Sequence, residues 1–219
     1  MIKIAVTQRV EFISAYLETR DCLDQAWSRL LEDLGILTIP IPNSLKDPVA
    51  WLKKIDIDGV IFSGGNDLCS LPGAKNTSQA RDSTEKKLLN YLSTTEIPVL
   101  GVCRGMQMIH HYLGGQLIPV KNHAGAEHNI KLLGKPHEML QAGYKSNEQV
   151  NSFHTWGISF DTLPEKLCPL ADDESGQIEA FKHLRLPWWG IMWHPERKSN
   201  VQMKDRKLIE HIFKSELPL

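Results

Sequence analysis

Disulfide networks, membrane spans and an excess of either charge are all missing from this chain. Its four cysteines, Cys22, Cys69, Cys103 and Cys168, form no C-x-x-C pair, so neither a zinc ribbon nor a dense disulfide framework is indicated. No segment approaches the roughly 18 uncharged apolar residues that a bilayer span requires. The start, MIKIAVTQRV, has neither a basic leader nor a cleavable apolar stretch, and a cytoplasmic location is the expectation. Basic residues number 25 and acidic residues 26, which leaves out the positive excess of a nucleic-acid binder or a membrane-surface helix. The expected partner is a small molecule, with no nucleic acid and no membrane. No Gly-, Pro- or Ser-rich linker, repeat or low-complexity tract divides the sequence, so residues 1–219 are expected to form one domain with a sizeable core.

What the chain does contain is an alternation of short β-branched runs with longer amphipathic ones. IKIAVT (2–7) reads as a strand, and 21–34 as a helix with Leu23, Trp27, Leu30, Leu31 and Leu34 on one face and Gly35 as its stop. ILTIP then predicts a strand, residues 47–55 a short helix, DGVIFSGG (58–65) a strand ending in a glycine pair, and 78–92 a helix. IPVLGV (97–102) is nearly all apolar, as in a parallel sheet covered on both faces, and a short helix follows Cys103. This order predicts right-handed βαβ crossovers: an α/β fold whose open, mostly parallel sheet is flanked by helices, flavodoxin-like, with ligands at the carboxyl ends of the strands. The second half is less regular. QLIPV, QIEAFKH and WWGIMWH read as strands joined by polar loops, and a helix from Val201 to Phe213 closes the domain.

One cysteine stands apart. GVCRG (101–105) matches the G-x-C-x-G form of a nucleophile elbow, in which glycines flank a reactive side chain because the strand-to-helix turn is too tight for a Cβ. A buried core residue is the commoner fate of a free cysteine. Here, however, the thiol would stand at a helix amino end whose unpaired N–H groups favour the thiolate. A thiolate needs a base. Among nine histidines, His194 is the best placed, because it follows a buried-looking strand that should end at the same sheet edge, and Glu196 could accept its other N–H.

SGGND (63–67), GVCRGMQ (101–107), NSFHTWGI (151–158) and GIMWHPE (190–196) together resemble, in order and spacing, the class I glutamine amidotransferase fold, over nearly the whole chain. GGND followed by RDSTEKKLL (81–89) is similar to the γ-glutamyl hydrolase branch, the peptidase C26-like enzymes. The resemblance implies Cys103 as nucleophile, His194 as general acid/base, Glu196 as its orienter, and an oxyanion hole from the backbone N–H groups of Gly65 and Arg104. It implies Gln107, Asn151, Ser152 and His154 around the γ-glutamyl group, with Asn66, Asp67 and Arg81 in the narrower branch's motif.

The implied reaction releases glutamate from a γ-glutamyl amide through a thioester, without metal or organic cofactor. The family's substrates include γ-glutamyl-aminobutyrate, γ-glutamyl polyamines and folate polyglutamates, and small bacterial members remove glutamate from γ-glutamyl-CDP-amidate in capsule biosynthesis. This short chain most resembles the last group. The alternative is a glutaminase subunit passing ammonia to a synthetase partner, which GGND and RDSTE disfavour. No metal site is expected: His110 and His111 are adjacent and face different ways, and His123 and His128 sit in a polar loop with no nearby cysteine to complete a ligand set.

Overall fold

Strand β1 (Ile2–Thr7) sends Ile4 and Val6 to one face and Ala5 to the other, and all three are fully buried, as expected of a strand covered on both sides. The computed structural model describes residues 1–197 and 202–214. After β1 a two-stranded ribbon, β2 (Arg9–Ile13) and β3 (Glu18–Cys22), projects from the chain. Helix α1 (Gln25–Asp33) follows, opened by Asp24, whose carboxylate accepts from the Ala26 N–H at 2.9 Å. The helix expected from residue 21 is therefore shorter at its start, because residues 18–22 pair as a strand; its stop at Gly35, with φ +68°, is as expected.

Then come β4 (Ile36–Ile41), α2 (Pro48–Ile55), β5 (Gly59–Phe62), α3 (Gln79–Leu92), β6 (Val99–Val102) and α4 (Arg104–Tyr112), in the order anticipated. Beyond them lie β7 (Ile118–Pro119), β8 (Ala124–Leu132), α5 (His137–Ala142), β9 (Glu148–Phe153), β10 (Trp156–Gly157), β11 (Leu167–Asp173), β12 (Ile178–His183), β13 (Trp188–Ile191) and α6 (Met203–Lys214). Of the closing helix expected over 201–213, Val201 lies outside the described residues.

Nine strands form one mixed sheet in the order β4-β1-β5-β6-β13-β12-β11-β8-β9. The first five are parallel to one another, and the pairs from β13 to β9 are antiparallel. The single-domain α/β class expected from the sequence holds, with the parallel strands making up the half that the βαβ pattern announced. The antiparallel half departs from expectation: residues 122–149, read as loop, contain β8 and α5, and QLIPV keeps only a two-residue strand paired with β10.

Burial follows the period-two alternation. Ile4, Val6, Ile61, Leu100 and Val102 pack with Trp27, Leu30 and Leu31 of α1 and Leu208, Ile209 and Phe213 of α6 on one face. Ala5, Val60, Phe62 and Val99 pack with Leu52 of α2, Leu88 and Leu89 of α3 and Met106 and Ile109 of α4 on the other. Each such apolar side chain contributes about 1.5–3 kcal/mol through burial. Among the described residues, no helix is long and apolar enough to cross a membrane.

Candidate active site

Strands β5, β6 and β13 lie side by side, with Phe62 opposite Gly101 and Val102 opposite Ile191. Their carboxyl ends therefore bring three sequence-distant segments together: the glycine pair after β5, Cys103 after β6 and His194 after β13. The Cys103 N–H donates to Ile191 O at 2.8 Å, so the turn that carries the thiol is itself tied to the strand that leads to His194.

Cys103 sits at φ +51°, ψ −108°, in the left-handed half of backbone space, and opens α4. A non-glycine residue held there stores local strain, of order 1–3 kcal/mol, that the surrounding packing must sustain. The flanking glycines explain how. A Cβ on Gly105 would lie 1.8 Å from Phe62 O, and one on Gly101 would lie 2.7 Å from the Gly105 carbonyl. Helix α4 can start against β5 only because neither residue has a side chain.

His194 is 1% exposed and its Nδ1 lies 2.7 Å from Glu196 Oε1, which fixes the Nδ1–H tautomer and turns Nε2 toward the thiol. The ring packs over the backbone after β5: a Cβ on Gly64 would fall 2.5 Å from His194 Cε1. Phe153 stands edge-on to the same ring, centroids 5.6 Å apart. The Asn151 side-chain amide holds the histidine's backbone, accepting from His194 N at 2.8 Å and donating to His194 O at 2.9 Å.

The electrostatics of this pair favour charge separation. Burial alone would raise the Cys103 pKa, but the hydrogen-bonded His194, the nearby His154 and the Arg104 backbone N–H together hold it below the ordinary thiol value. Burial would likewise lower the His194 pKa, yet the Cys103 and Glu196 charges and hydrogen bonds raise it to about 9. The two shifts describe one interaction, a thiolate–imidazolium pair.

Beneath the site lies a buried ionic floor that sequence reasoning did not assign. Arg81 Nε meets Glu85 Oε1 at 2.9 Å, and its Nη2 donates to Ser63 O at 2.6 Å, under the turn carrying Gly64 and Gly65. The Arg104 guanidinium pairs with Asp82 and Glu85 and donates to Asn66 O at 3.1 Å. The R-D-x-x-E spacing on α3 puts Arg81, Asp82 and Glu85 within one turn of each other, so one helix face grips both loops.

The residues expected around a substrate are close at hand, but most have their polar ends turned to the protein. Asn151 holds His194; Asn66 bonds both backbone groups of Val10 at 2.8 Å; Gln107 Nε2 donates to Trp156 O at 2.8 Å; His154 Nδ1 donates to the same carbonyl at 3.0 Å. Ser152 Oγ is buried. Asp67 is half-buried, and burial outweighs the Arg104 charge in raising its pKa.

Residues 3–196 match the peptidase C26 family. The chain belongs to that family. Among its relatives, it is 37% identical over 199 residues to the γ-glutamyl-CDP-amidate hydrolase of Campylobacter jejuni, covering 90% of this chain and 92% of that protein. It is 32% identical over 171 residues to a subunit of the glutamine-hydrolysing GMP synthase of Pyrococcus abyssi, covering 77% and 80%. A glutamine amidotransferase structure from Thermotoga maritima superposes with a TM-score of 0.71 at 15% identity, over 97% of this chain and 98% of that one, a likeness of fold. This peptidase C26 member is a cysteine-dependent amide hydrolase.

Two further features of this family member were not legible beforehand. A cavity of about 340 Å³ borders Gly64 and Gly65 and is lined by Arg9 and Arg197 together with Glu11, Asp24 and Glu196, Arg9 pairing with Glu11 and Arg197 with Glu196. His123, His128, His154 and Glu179 converge, each offering a donor atom within 4.8 Å of the others, because β8, β9 and β12 bring loop and strand residues to one edge.

Proposed function

We propose that this protein hydrolyses a γ-glutamyl amide through Cys103, His194 and Glu196, releasing glutamate by way of a γ-glutamyl thioester. The observation that carries this reading is the strained elbow thiol paired with an imidazolium whose far nitrogen is held by a buried carboxylate. The Cys103 thiolate adds to the γ-carbonyl carbon, and the oxyanion is met by the backbone N–H groups of Gly65 and Arg104. Each such donor contributes about 2.7–4 kcal/mol to transition-state stabilisation. His194 Nε2–H protonates the departing nitrogen as the C–N bond breaks, leaving the thioester and a neutral imidazole. Water then attacks, giving its proton to Nε2, and the C–S bond breaks to regenerate thiolate and imidazolium with glutamate released.

The γ-glutamyl group lies along residues 151–154. Because the Asn151 and His154 side chains are engaged with the protein, it is the backbone there, with Ser152, that meets the α-amino and α-carboxylate groups. For the leaving group we favour a nucleotide phosphoramidate such as CDP-amidate, with a role in capsule biosynthesis. The relationship to the Campylobacter hydrolase supports this choice.

The test is glutamate release from γ-glutamyl-CDP-amidate, γ-glutamyl amines and glutamine, with no partner added. A rate on the nucleotide conjugate well above the rest is expected, and uniformly low rates would rule out a nucleotide-specific enzyme. The similarity to part of a GMP synthase favours a second reading, a glutaminase feeding a synthetase. Turnover of glutamine only in the presence of a synthetase would select it.

A further inference from the structure

The cluster of three histidines and a glutamate has features that hydrolysis does not require. It draws on four segments: His123 before β8, His128 within it, His154 after β9 and Glu179 on β12. Glu179 is 1% exposed, and among the described residues neither of its carboxylate oxygens accepts a hydrogen bond. The nearest imidazole nitrogens, His154 Nε2 and His128 Nε2, lie 3.6 Å from its two oxygens, one each. A buried carboxylate left without a donor is costly, by several kcal/mol, unless a cation meets it.

The three rings are arranged alike. Each has its outer nitrogen against an acceptor: His154 Nδ1 donates to Trp156 O at 3.0 Å, His128 Nδ1 to Asn129 O at 3.3 Å, and His123 Nε2 lies 3.1 Å from Asp173 Oδ2. Asp173 is itself held by the Ser175 and Gln177 N–H groups, at 2.9 and 2.7 Å. With their N–H bonds directed outward, the inner nitrogens present lone pairs. His123 Nδ1 and His154 Nε2 then face each other at 3.2 Å, a repulsive contact for two lone pairs. One proton placed between them would relieve that contact and still leave His128 and one Glu179 oxygen unmet. Ring N–H groups anchored on carboxylates and backbone carbonyls are the outer-shell arrangement of metal-bound histidines.

We propose that His123, His128, His154 and Glu179 bind one divalent transition-metal ion, with zinc the best fit to the donor set. Three imidazole nitrogens and a carboxylate oxygen suit zinc in a closed tetrahedral site. With metal–ligand distances of about 2.0–2.1 Å, the ligand atoms of such a site lie about 3.3 Å apart; the four side chains, whose donor atoms lie within 4.8 Å of one another, would draw in by small side-chain rotations to reach that spacing. The ion would tie β8, β9 and β12 together and fix the His154 ring. The site adjoins the proposed substrate through His154, at the end of the 151–154 segment.

The experiment is zinc titration by calorimetry of metal-stripped, full-length Cys103→Ala protein, in which the thiolate and His194 cannot form a rival site. One equivalent bound at submicromolar free zinc is expected, with a rise in melting temperature. Cobalt(II) should give the intense visible bands of a tetrahedral ion. His128→Ala and Glu179→Gln should each weaken binding by at least about 100-fold, and Asp173→Asn, which touches no metal, by roughly 10–100-fold. His128 is the least buried ligand, so its variant should stay folded by circular dichroism. Failure to bind at micromolar free zinc, or binding unchanged in the folded His128→Ala and Asp173→Asn proteins, would overturn the proposal.

Discussion

The side-chain amide of Asn151 satisfies both backbone polar groups of His194, at 2.8 and 2.9 Å, across 43 residues of sequence. The imidazole is thus positioned from two directions, its ring by Glu196 and its backbone by β9. Asn151→Ala leaves a buried N–H and C=O unpaired and lets the ring drift. We expect kcat to fall by roughly 10–100-fold, the cost of about 1 Å of misplacement, with KM little changed. Steady-state kinetics check this, and a change confined to KM would mean that Asn151 contacts substrate instead.

Cys103→Ala should remove turnover by about 10⁶-fold while leaving the unfolding midpoint close to that of the unmodified protein. The unaltered enzyme, quenched during turnover, should carry a γ-glutamyl adduct on Cys103 by intact-mass analysis. Substantial residual hydrolysis by the variant would refute the nucleophile assignment.

The thiolate–imidazolium pair makes two readouts diverge with pH. An ordinary thiol is mostly protonated below its pKa of about 8.5, and the lowered Cys103 pKa predicts faster alkylation by iodoacetamide than an ordinary thiol shows at the same pH. Hydrolysis should fall as pH rises through about 9, where His194 loses the proton that the leaving nitrogen needs, while alkylation should persist. The sign for stability follows: a pKa raised from 6.5 to about 9 adds stability that is complete below 6.5 and lost as pH rises through 9. Glu196→Gln removes one cause of the raised value, so the alkaline limb of the rate profile should move to lower pH.

Gly105→Ala should destabilise the fold by more than about 3 kcal/mol, because its methyl would lie 1.8 Å from a backbone oxygen that cannot swing aside. Gly114→Ala is the contrast. It meets open space and only the strain of φ +98°, about 1–2 kcal/mol. Urea unfolding of the two variants separates crowding from backbone strain.

What the sequence revealed depended on how local the signal was. The parallel strands up to Cys103 and the helices between them were legible because the apolar pattern is clear over β1, α1 and β6, and GVCRG carries its geometric reason within five residues. The ribbon of Arg9–Ile13 and Glu18–Cys22 was missed because neither strand has a fully buried residue and the second, ETRDC, is polar and largely exposed. The antiparallel half was missed because β8 pairs with β9 and β11 across some twenty to forty residues. Without that pairing, His123 and Glu179 have no reason to be related. The RDSTE motif pointed to Asp82 and Glu85 without saying what they hold, which is visible only once Arg104 docks against them.

The parallel register of β6 against β13 acts as a ruler. Because Val102 pairs with Ile191, the spacing of Cys103 and His194 is set by a backbone ladder and not by the path of the chain between them. Residues 113–147 form an excursion that leaves after α4 and returns at β9, outside that ladder. Insertions or deletions there should change the length of chain between the two strands without shifting the pairing of Val102 with Ile191.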